Sequence, residues 1–149
     1  MAEAAHILIV ESPYYREISD ELAKGAIAAL EAAGASYERI EVPGAFEIPA
    51  AIALAMHNPG RSFDGYIALG CVLRGETTHY DYICGESARK LQDLATDQRL
   101  PLGYGILTCE NADQARVRAQ ASGKDKGGDA ARTCLRMIEV KRHFQKPSR

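Results

Sequence analysis

The sequence lacks any apolar run close to the roughly 20 residues that a membrane-spanning helix needs. Its N-terminus has no basic stretch followed by a long apolar segment and a small-residue cleavage site, so no secretory signal is evident. The chain also lacks an excess of either sign of charge, since the formal net charge is only −2. Nothing global therefore favours nucleic acid or an anionic membrane, and we expect a cytoplasmic protein with neither partner.

The four cysteines form neither a C-x-x-C pair nor a Cys/His cluster with zinc spacing. They are Cys71, Cys84, Cys109 and Cys134. We expect reduced, mostly buried thiols and no metal site.

What the sequence does contain is enough apolar material for one core. The chain has 149 residues, of which 46% are hydrophobic and 26% charged, a balance typical of a globular domain. No repeat, linker or low-complexity segment divides it, so we predict a single domain over residues 1–149. Residues 145–149 are predicted to be a flexible tail.

Short apolar runs alternate with segments of helical periodicity along the whole chain. The apolar runs predict buried strands at residues 6–10, 36–42, 66–72 and 103–108. The periodic segments predict helices at about residues 16–33, 49–58, 80–95, from 110–113 onward, and 130–144. Right-handed crossovers then give an α/β fold, a three-layer α/β/α sandwich around a four-stranded parallel sheet.

In such a sheet, ligands bind outside the carboxyl ends of the strands. Loop 74–79 is the richest of the loops there, because Arg74, Gly75 and two threonines stand between a strand and a helix start. Free backbone N–H groups at a helix N-terminus are typical of a phosphate cradle. The alternative is that Thr78 only caps the helix and that Arg74 is a solvated charge, and the residues alone leave both open.

Other polar groups belong to the same edge of the sheet. His79 is the one histidine at a strand's carboxyl end, where an imidazole suits acid/base work. Glu47, beside Phe46, is predicted either to bind hydroxyl groups or to favour the next helix through its dipole. Tyr14 or Tyr15 offers an aromatic face or a packing contact. The residues that make the segment 116–126 locally basic, and able to bind an anion, are Arg116, Arg118, Lys124 and Lys126.

Four motifs carry a resemblance to a known family. G-C-V-L-R-G-E-T-T-H-Y-D-Y at residues 70–82 resembles the lumazine synthase signature, and V-P-G-A-F-E-I-P at 42–49 resembles its second motif. G-I-L-T-C-E-N at 105–111 and D-K-G-G-D-A-A at 125–131 follow in the family's order. The resemblance implies a flavodoxin-like fold and a transferase of riboflavin biosynthesis without a cofactor. That enzyme condenses 5-amino-6-(D-ribitylamino)uracil with 3,4-dihydroxy-2-butanone 4-phosphate to 6,7-dimethyl-8-ribityllumazine, phosphate and water.

The resemblance also implies a role for each matching residue. The positions that would hold the uracil ring and its ribityl chain are Tyr14, Ala45, Phe46, Glu47, Cys71, Val72, Leu73, Tyr104 and Lys126. Those that would hold the butanone phosphate are Gly75, Glu76, Thr77 and Arg118. His79 would be the proton shuttle.

The resemblance further implies a homo-oligomer whose sites lie between adjacent subunits, with Tyr104, Arg118 and Lys126 supplied by the neighbour. The loop before Lys126 reads A-S-G-K-D-K-G, unlike the G-T-K-x-G-N-K-G of shell-forming relatives, which favours a pentamer over an icosahedral 60-mer. The first loop, E-S-P-Y-Y-R-E, departs from the usual Arg-Phe-Asn, and Tyr104 replaces a phenylalanine.

Two other functions compete with the synthase. One is a non-catalytic flavin or lumazine binder on the same fold. The presence of Arg118 and His79 argues against it, because a binder needs neither a phosphate-binding cation nor a proton shuttle. The other is a signalling receiver, which needs an aspartate at the end of the third strand, where this chain has Cys71-Val72.

Overall fold

The computed structural model describes residues 3–147, and its strands all pair in parallel in the order β2-β1-β3-β4. The strands are β1 (His6–Glu11), β2 (Ser36–Glu41), β3 (Gly65–Leu73) and β4 (Leu102–Cys109). The helices within these residues are α1 (Arg16–Ala32), α2 (Ile48–Met56), α3 (His79–Asp97), α4 (Ala112–Ala119) and α5 (Lys126–Gln145). A short 3-10 turn (Ala45–Glu47) precedes α2.

The sheet has one apolar layer on each face because successive side chains of a strand point to opposite sides. In β1, Ile7 and Ile9 pack with α1, α4 and α5. Leu8 and Val10 pack with α2 and α3 on the other face. Every one of these side chains is buried, which explains why the central strand is a continuous apolar run. The predicted three-layer α/β/α sandwich with a flavodoxin-like parallel sheet is confirmed.

Helices α1 and α5 pack closely because glycines remove side chains between them. A Cβ on Gly127 would overlap the backbone carbonyl of Leu22, and a Cβ on Gly25 would overlap the carboxylate of Asp125. Asp125 caps α5, since its Oδ1 accepts from the N–H of Gly128 at 3.2 Å. The prediction that the last helix begins near residue 130 is therefore wrong by about one turn.

The C-terminal end of α5 also differs from its predicted position. The helix includes Gln145, which was expected to open a flexible tail. Residues 146–147 follow it, and residues 148–149 of the predicted tail lie outside the described residues. None of the helices described between residues 3 and 147 is long and apolar enough to cross a bilayer.

The strand order places a crevice at one edge of the sheet. The chain leaves β1 toward β2 on one side and leaves β3 toward β4 on the other, so the loops that follow the two central strands diverge. A crevice at such a switch point is where open parallel sheets bind ligands.

Candidate active site

An apolar cleft of about 560 Å³ lies at this switch point. The loops after β1 and β2, the carboxyl end of β3 and the first turns of α3 form its walls. The lining residues are Tyr14, Tyr15, Pro43, Gly44, Ala45, Phe46, Glu47, Cys71, Val72, Leu73, His79 and Ile83. All the predicted site residues from 14 to 73, together with His79, are therefore brought together.

Aromatic rings at the mouth of the apolar cleft remain open to solvent. Tyr14 is 75% exposed and Phe46 is 52% exposed. Tyr14 meets Tyr15 edge to face, with ring centroids 5.0 Å apart, so its outer face is free. Such open faces suit stacking on a flat heterocycle.

The floor of the apolar cleft is uncharged. Cys71 is buried, and burial raises the pKa of its thiol to about 12, with nearby Cys109 and Cys84 acting in the same direction. The thiol is therefore protonated at neutral pH and behaves as a small apolar group. Burial likewise raises the pKa of the neighbouring Tyr15 phenol.

Two polar side chains stand in this apolar setting. Glu47 ends the 3-10 turn and makes no side-chain capping bond to α2, so its carboxylate is available to a ligand. His79 is the first residue of α3, and its N–H donates to Oγ1 of Thr77 at 3.3 Å. Thr78 is the N-cap residue of α3, but its side chain makes no cap bond, contrary to the capping alternative.

The rest of loop 74–79 lies beside the apolar cleft, outside its lining. Gly75, Glu76 and Thr77 are exposed, and Gly75 has open space where a side chain would stand. Arg74 does not act as a free cation for a cradle, because its guanidinium pairs with Glu110 at 2.8 Å and Asp81 at 3.3 Å. Arg74 and both of its carboxylate partners are exposed, so the solvated-charge alternative stays open.

A second, smaller depression of about 230 Å³ lies along the open edge of β4, and we call it the cationic concavity. It is lined by Tyr104, Gly105, Ile106, Leu107, Thr108, Cys109, Arg118 and Lys126. It has no lining residue in common with the apolar cleft. The predicted site residues Tyr104, Arg118 and Lys126 are therefore near one another but belong to a different region from the rest.

The two cations of the concavity differ in their partners. Arg118 donates from Nη1 to the carbonyl oxygen of Gln114 at 3.0 Å and, within residues 3–147, has no carboxylate partner. Lys126 is 3.6 Å from Asp129. Arg116, two residues away, is engaged by Asp113 at 2.6 Å and Glu17 at 3.5 Å. Arg118 is thus the better anion ligand of this segment.

Some residues of the apolar cleft were not predicted as ligand contacts. Pro43 and Gly44 belong to the same motif as Ala45, so the motif as a whole was the available signal. Ile83 lies four residues after His79, one helical turn further along α3, and helical spacing places it on the same face.

The thiols follow their prediction. Cys71, Cys109 and Cys134 are buried, Cys84 is partly exposed, and all are free. In the described range, no group of three or more His, Cys, Asp or Glu side chains is arranged to hold a metal ion.

Parallel α/β topology and a switch-point cleft define a ligand-binding protein of the flavodoxin-like class. The chain belongs to the 6,7-dimethyl-8-ribityllumazine synthase family, whose model matches residues 4–142. A synthase of that name from Agrobacterium fabrum is 55% identical over 140 residues, covering 92% of this chain and 95% of the relative. Another from Bartonella tribocorum is 54% identical over 97% of this chain and 95% of its own length. The 6,7-dimethyl-8-ribityllumazine synthase 1 of Rhizobium meliloti is 54% identical and covers 93% of each chain.

Proposed function

We propose that this chain catalyses the reaction for which its family is named. It condenses 5-amino-6-(D-ribitylamino)uracil with 3,4-dihydroxy-2-butanone 4-phosphate to 6,7-dimethyl-8-ribityllumazine, phosphate and water. The observation that carries the proposal is the match between motif and cleft, since residues of both main family motifs line the apolar cleft. Nothing in the relatives supports the non-catalytic alternative, because those named above are all synthases.

We assign the apolar cleft to the uracil. Tyr14 stacks on the ring, Phe46 and Glu47 contact the ribityl chain, and the Cys71–Leu73 segment closes the pocket. Two observations support this assignment. Tyr14 and Phe46 have exposed ring faces, and the Glu47 carboxylate makes no capping bond to α2. Ala45, buried beneath Phe46, contributes backbone at the same wall.

We assign the phosphate to loop 74–79 together with Arg118. Gly75, Glu76 and Thr77 supply backbone and hydroxyl donors at the N-terminus of α3, and Arg118 supplies the cation. The absence of a carboxylate partner of Arg118 in the described chain supports that role. Gly75 lies beside the apolar cleft and Arg118 lines the separate cationic concavity, and we infer that the phosphate site takes them from two subunits.

The reaction then follows from this placement. The uracil amine attacks the ketone to form an imine with loss of one water, phosphate leaves by elimination, and the ring closes with loss of a second water. His79, at the wall of the apolar cleft, transfers protons between these steps. Holding two reactive substrates together supplies much of the acceleration, so His79 assists a reaction that proximity already favours.

We propose a homo-oligomer in which the apolar cleft of one subunit faces the cationic concavity of the next. Tyr104 and Lys126 then close on the heterocycle from the neighbour. Tyr104 is 43% exposed at an unpaired strand edge, which suits such an interface. We favour a pentamer because of the loop before Lys126, and we place the enzyme in the cytoplasm.

The proposal is tested with purified protein and both substrates. The coloured, fluorescent lumazine and released phosphate are followed together, against the slow reaction without protein. We expect stoichiometric formation of both products. Product at no more than the uncatalysed rate would overturn the proposal, and light scattering on the same sample measures the assembly.

A further inference from the structure

Arg74 joins three separate segments at the carboxyl edge of the sheet. Its Nε donates to both carboxylate oxygens of Glu110, at 2.8 and 3.1 Å, just after β4. Its Nη2 donates to Asp81 in the first turn of α3 at 3.3 Å. Its guanidinium carbon lies 4.3 Å from the ring centroid of Tyr80. The backbone adds a further contact, because the Arg74 N–H donates to the carbonyl oxygen of Cys109 at 3.0 Å.

This environment does not suit direct binding of an anion. Two carboxylates surround one guanidinium, so the local formal charge is negative. A phosphate would have to displace Glu110, whose two carboxylate oxygens both accept from the Nε–H of Arg74. Arg74 therefore has carboxylate partners, whereas Arg118 has none among residues 3–147.

The contacts of Arg74 extend to the helix that carries Arg118. The N–H of Glu110 donates to Oε1 of Gln114 at 2.8 Å. The carbonyl oxygen of Gln114 in turn accepts from Arg118 at 3.0 Å. Asn111 Oδ1 also accepts from the Gln114 N–H at 2.9 Å, which fixes the start of α4. A short series of hydrogen bonds thus leads from loop 74–79 to the cationic concavity.

We propose that Arg74 is a positioning residue for both half-sites on its subunit, holding loop 74–79 beside the apolar cleft and the start of α4 beside the cationic concavity. It acts through Glu110 and Gln114 and does not touch the substrate. This inference rests on the proposed function for its kinetic consequences, while its structural consequence stands apart from activity.

The kinetic test compares Arg74→Met and Glu110→Ala with the double variant. Each single change is expected to raise the KM for the butanone phosphate about three- to fivefold, with less effect on the KM for the uracil. The KM of the double variant is expected to be no higher than that of the single variant with the higher KM, because both changes break the same contact. Arg74→Lys is expected not to restore the KM, since lysine keeps the charge but not the fork.

The opposite pattern overturns the proposal. If Arg74 bound phosphate directly, Glu110→Ala would leave the KM unchanged or lower it, and Arg74→Lys would retain most affinity. Arg89→Met is the matched control, because Arg89 is an arginine of α3 that also pairs with two carboxylates, Glu86 and Asp93. An Arg74→Met variant no different from this control also refutes the inference.

Hydrogen exchange separates this inference from the proposed function. In Arg74→Met without substrate, amides of residues 75–79 and 110–114 are expected to exchange faster than in the parent, and those in Arg89→Met to be unchanged. Unchanged exchange in both segments contradicts positioning by Arg74. A parent protein that makes no lumazine refutes the proposed function alone, because the exchange result still decides the role of Arg74.

Discussion

The apolar cleft and the cationic concavity are opposite in character. The apolar cleft is the larger, at about 560 Å³ against 230 Å³, and among its described lining residues there is no lysine or arginine. The cationic concavity has Arg118 and Lys126 but only one aromatic ring, Tyr104. One region suits a flat heterocycle with hydroxyl groups, and the other suits an anion.

This difference indicates why one subunit is not expected to be sufficient. The reaction joins a heterocycle to a phosphorylated ketone, so its site needs both kinds of wall. The chain has both, but at separate positions, with the apolar cleft at the carboxyl ends of the strands and the cationic concavity along β4. Pairing the apolar cleft of one subunit with the cationic concavity of the next gives a head-to-tail contact, the kind that closes into a ring.

The largest effect is expected from removing the cation of the concavity. Arg118→Ala should raise the KM for the butanone phosphate by roughly 30- to 100-fold, because a charge-assisted hydrogen bond is lost, while the KM for the uracil changes little. Steady-state kinetics with each substrate varied in turn measures the difference.

Arg116→Ala provides the matched control for that change. Arg116 lies on the same helix but is already paired with Asp113 and Glu17. Its loss should leave both KM values within about twofold. Equal effects of the Arg118 and Arg116 changes would mean that general positive charge matters, and the assignment of Arg118 would be wrong.

A smaller effect, on the KM of the other substrate, is expected from a change in the apolar cleft. Phe46→Ala should raise the KM for the uracil by about tenfold with little effect on the butanone phosphate, since an aromatic contact is lost. Phe144→Ala is the control, because Phe144 is 79% exposed at the end of α5. If the phosphate substrate were the one affected, the division between the two regions would fail.

Replacement of His79 is expected to slow turnover only several-fold. A proton shuttle adds to a rate that substrate proximity already supplies, so His79→Gln should lower kcat and leave both KM values near the parent's. Single-turnover measurements give the chemical step. Complete loss of turnover in a variant that still assembles is the result that this account does not allow.

The last prediction concerns stability, and it depends on the uncharged wall of the cleft. The pKa of Cys71 in the folded protein, like that of buried Cys134, is about 12, above that of an exposed thiol. Stability from these thiols is therefore fully present below pH about 8.5 and is lost as the pH rises toward 12, by up to about 1.4 kcal/mol per pH unit for each.

Urea unfolding at pH 8 and pH 10 measures this loss. Cys71→Ala should make the pH dependence shallower, because one of the thiols whose pKa burial raises is then removed. A slope equal to the parent's would show that Cys71 is not protected from ionisation.

Sequence patterns predicted the sheet well because its signal is local. Continuous apolar runs such as Ile7–Val10 have few alternatives to a strand buried on both faces. The start of α5 was missed because glycine has low helix propensity. Gly127 and Gly128 are helical because Asp125 caps the turn and α1 packs against it, and both facts depend on tertiary structure.

The candidate site was likewise predictable only in the part that its own motifs carry. Family motifs indicated most residues of the apolar cleft, and the structure brings them together. The role of Arg74 was not predictable from its own motif, because its partner Glu110 follows a different strand. Ile83 was missed because its motif ends one residue earlier, at residue 82.

Mixing two defective subunits tests the shared site most directly. One variant combines Phe46→Ala with His79→Gln, and the other is Arg118→Ala; at low substrate each is expected to retain only a few per cent of the parent activity, as the effects above imply. The two are coexpressed in equal amounts with different tags, and assemblies that contain both are purified. If each site takes its cleft from one subunit and its concavity from the next, roughly a quarter of the sites regain both intact halves and the corresponding share of parent activity. Activity no greater than the average of the two separate variants would contradict a site shared between subunits.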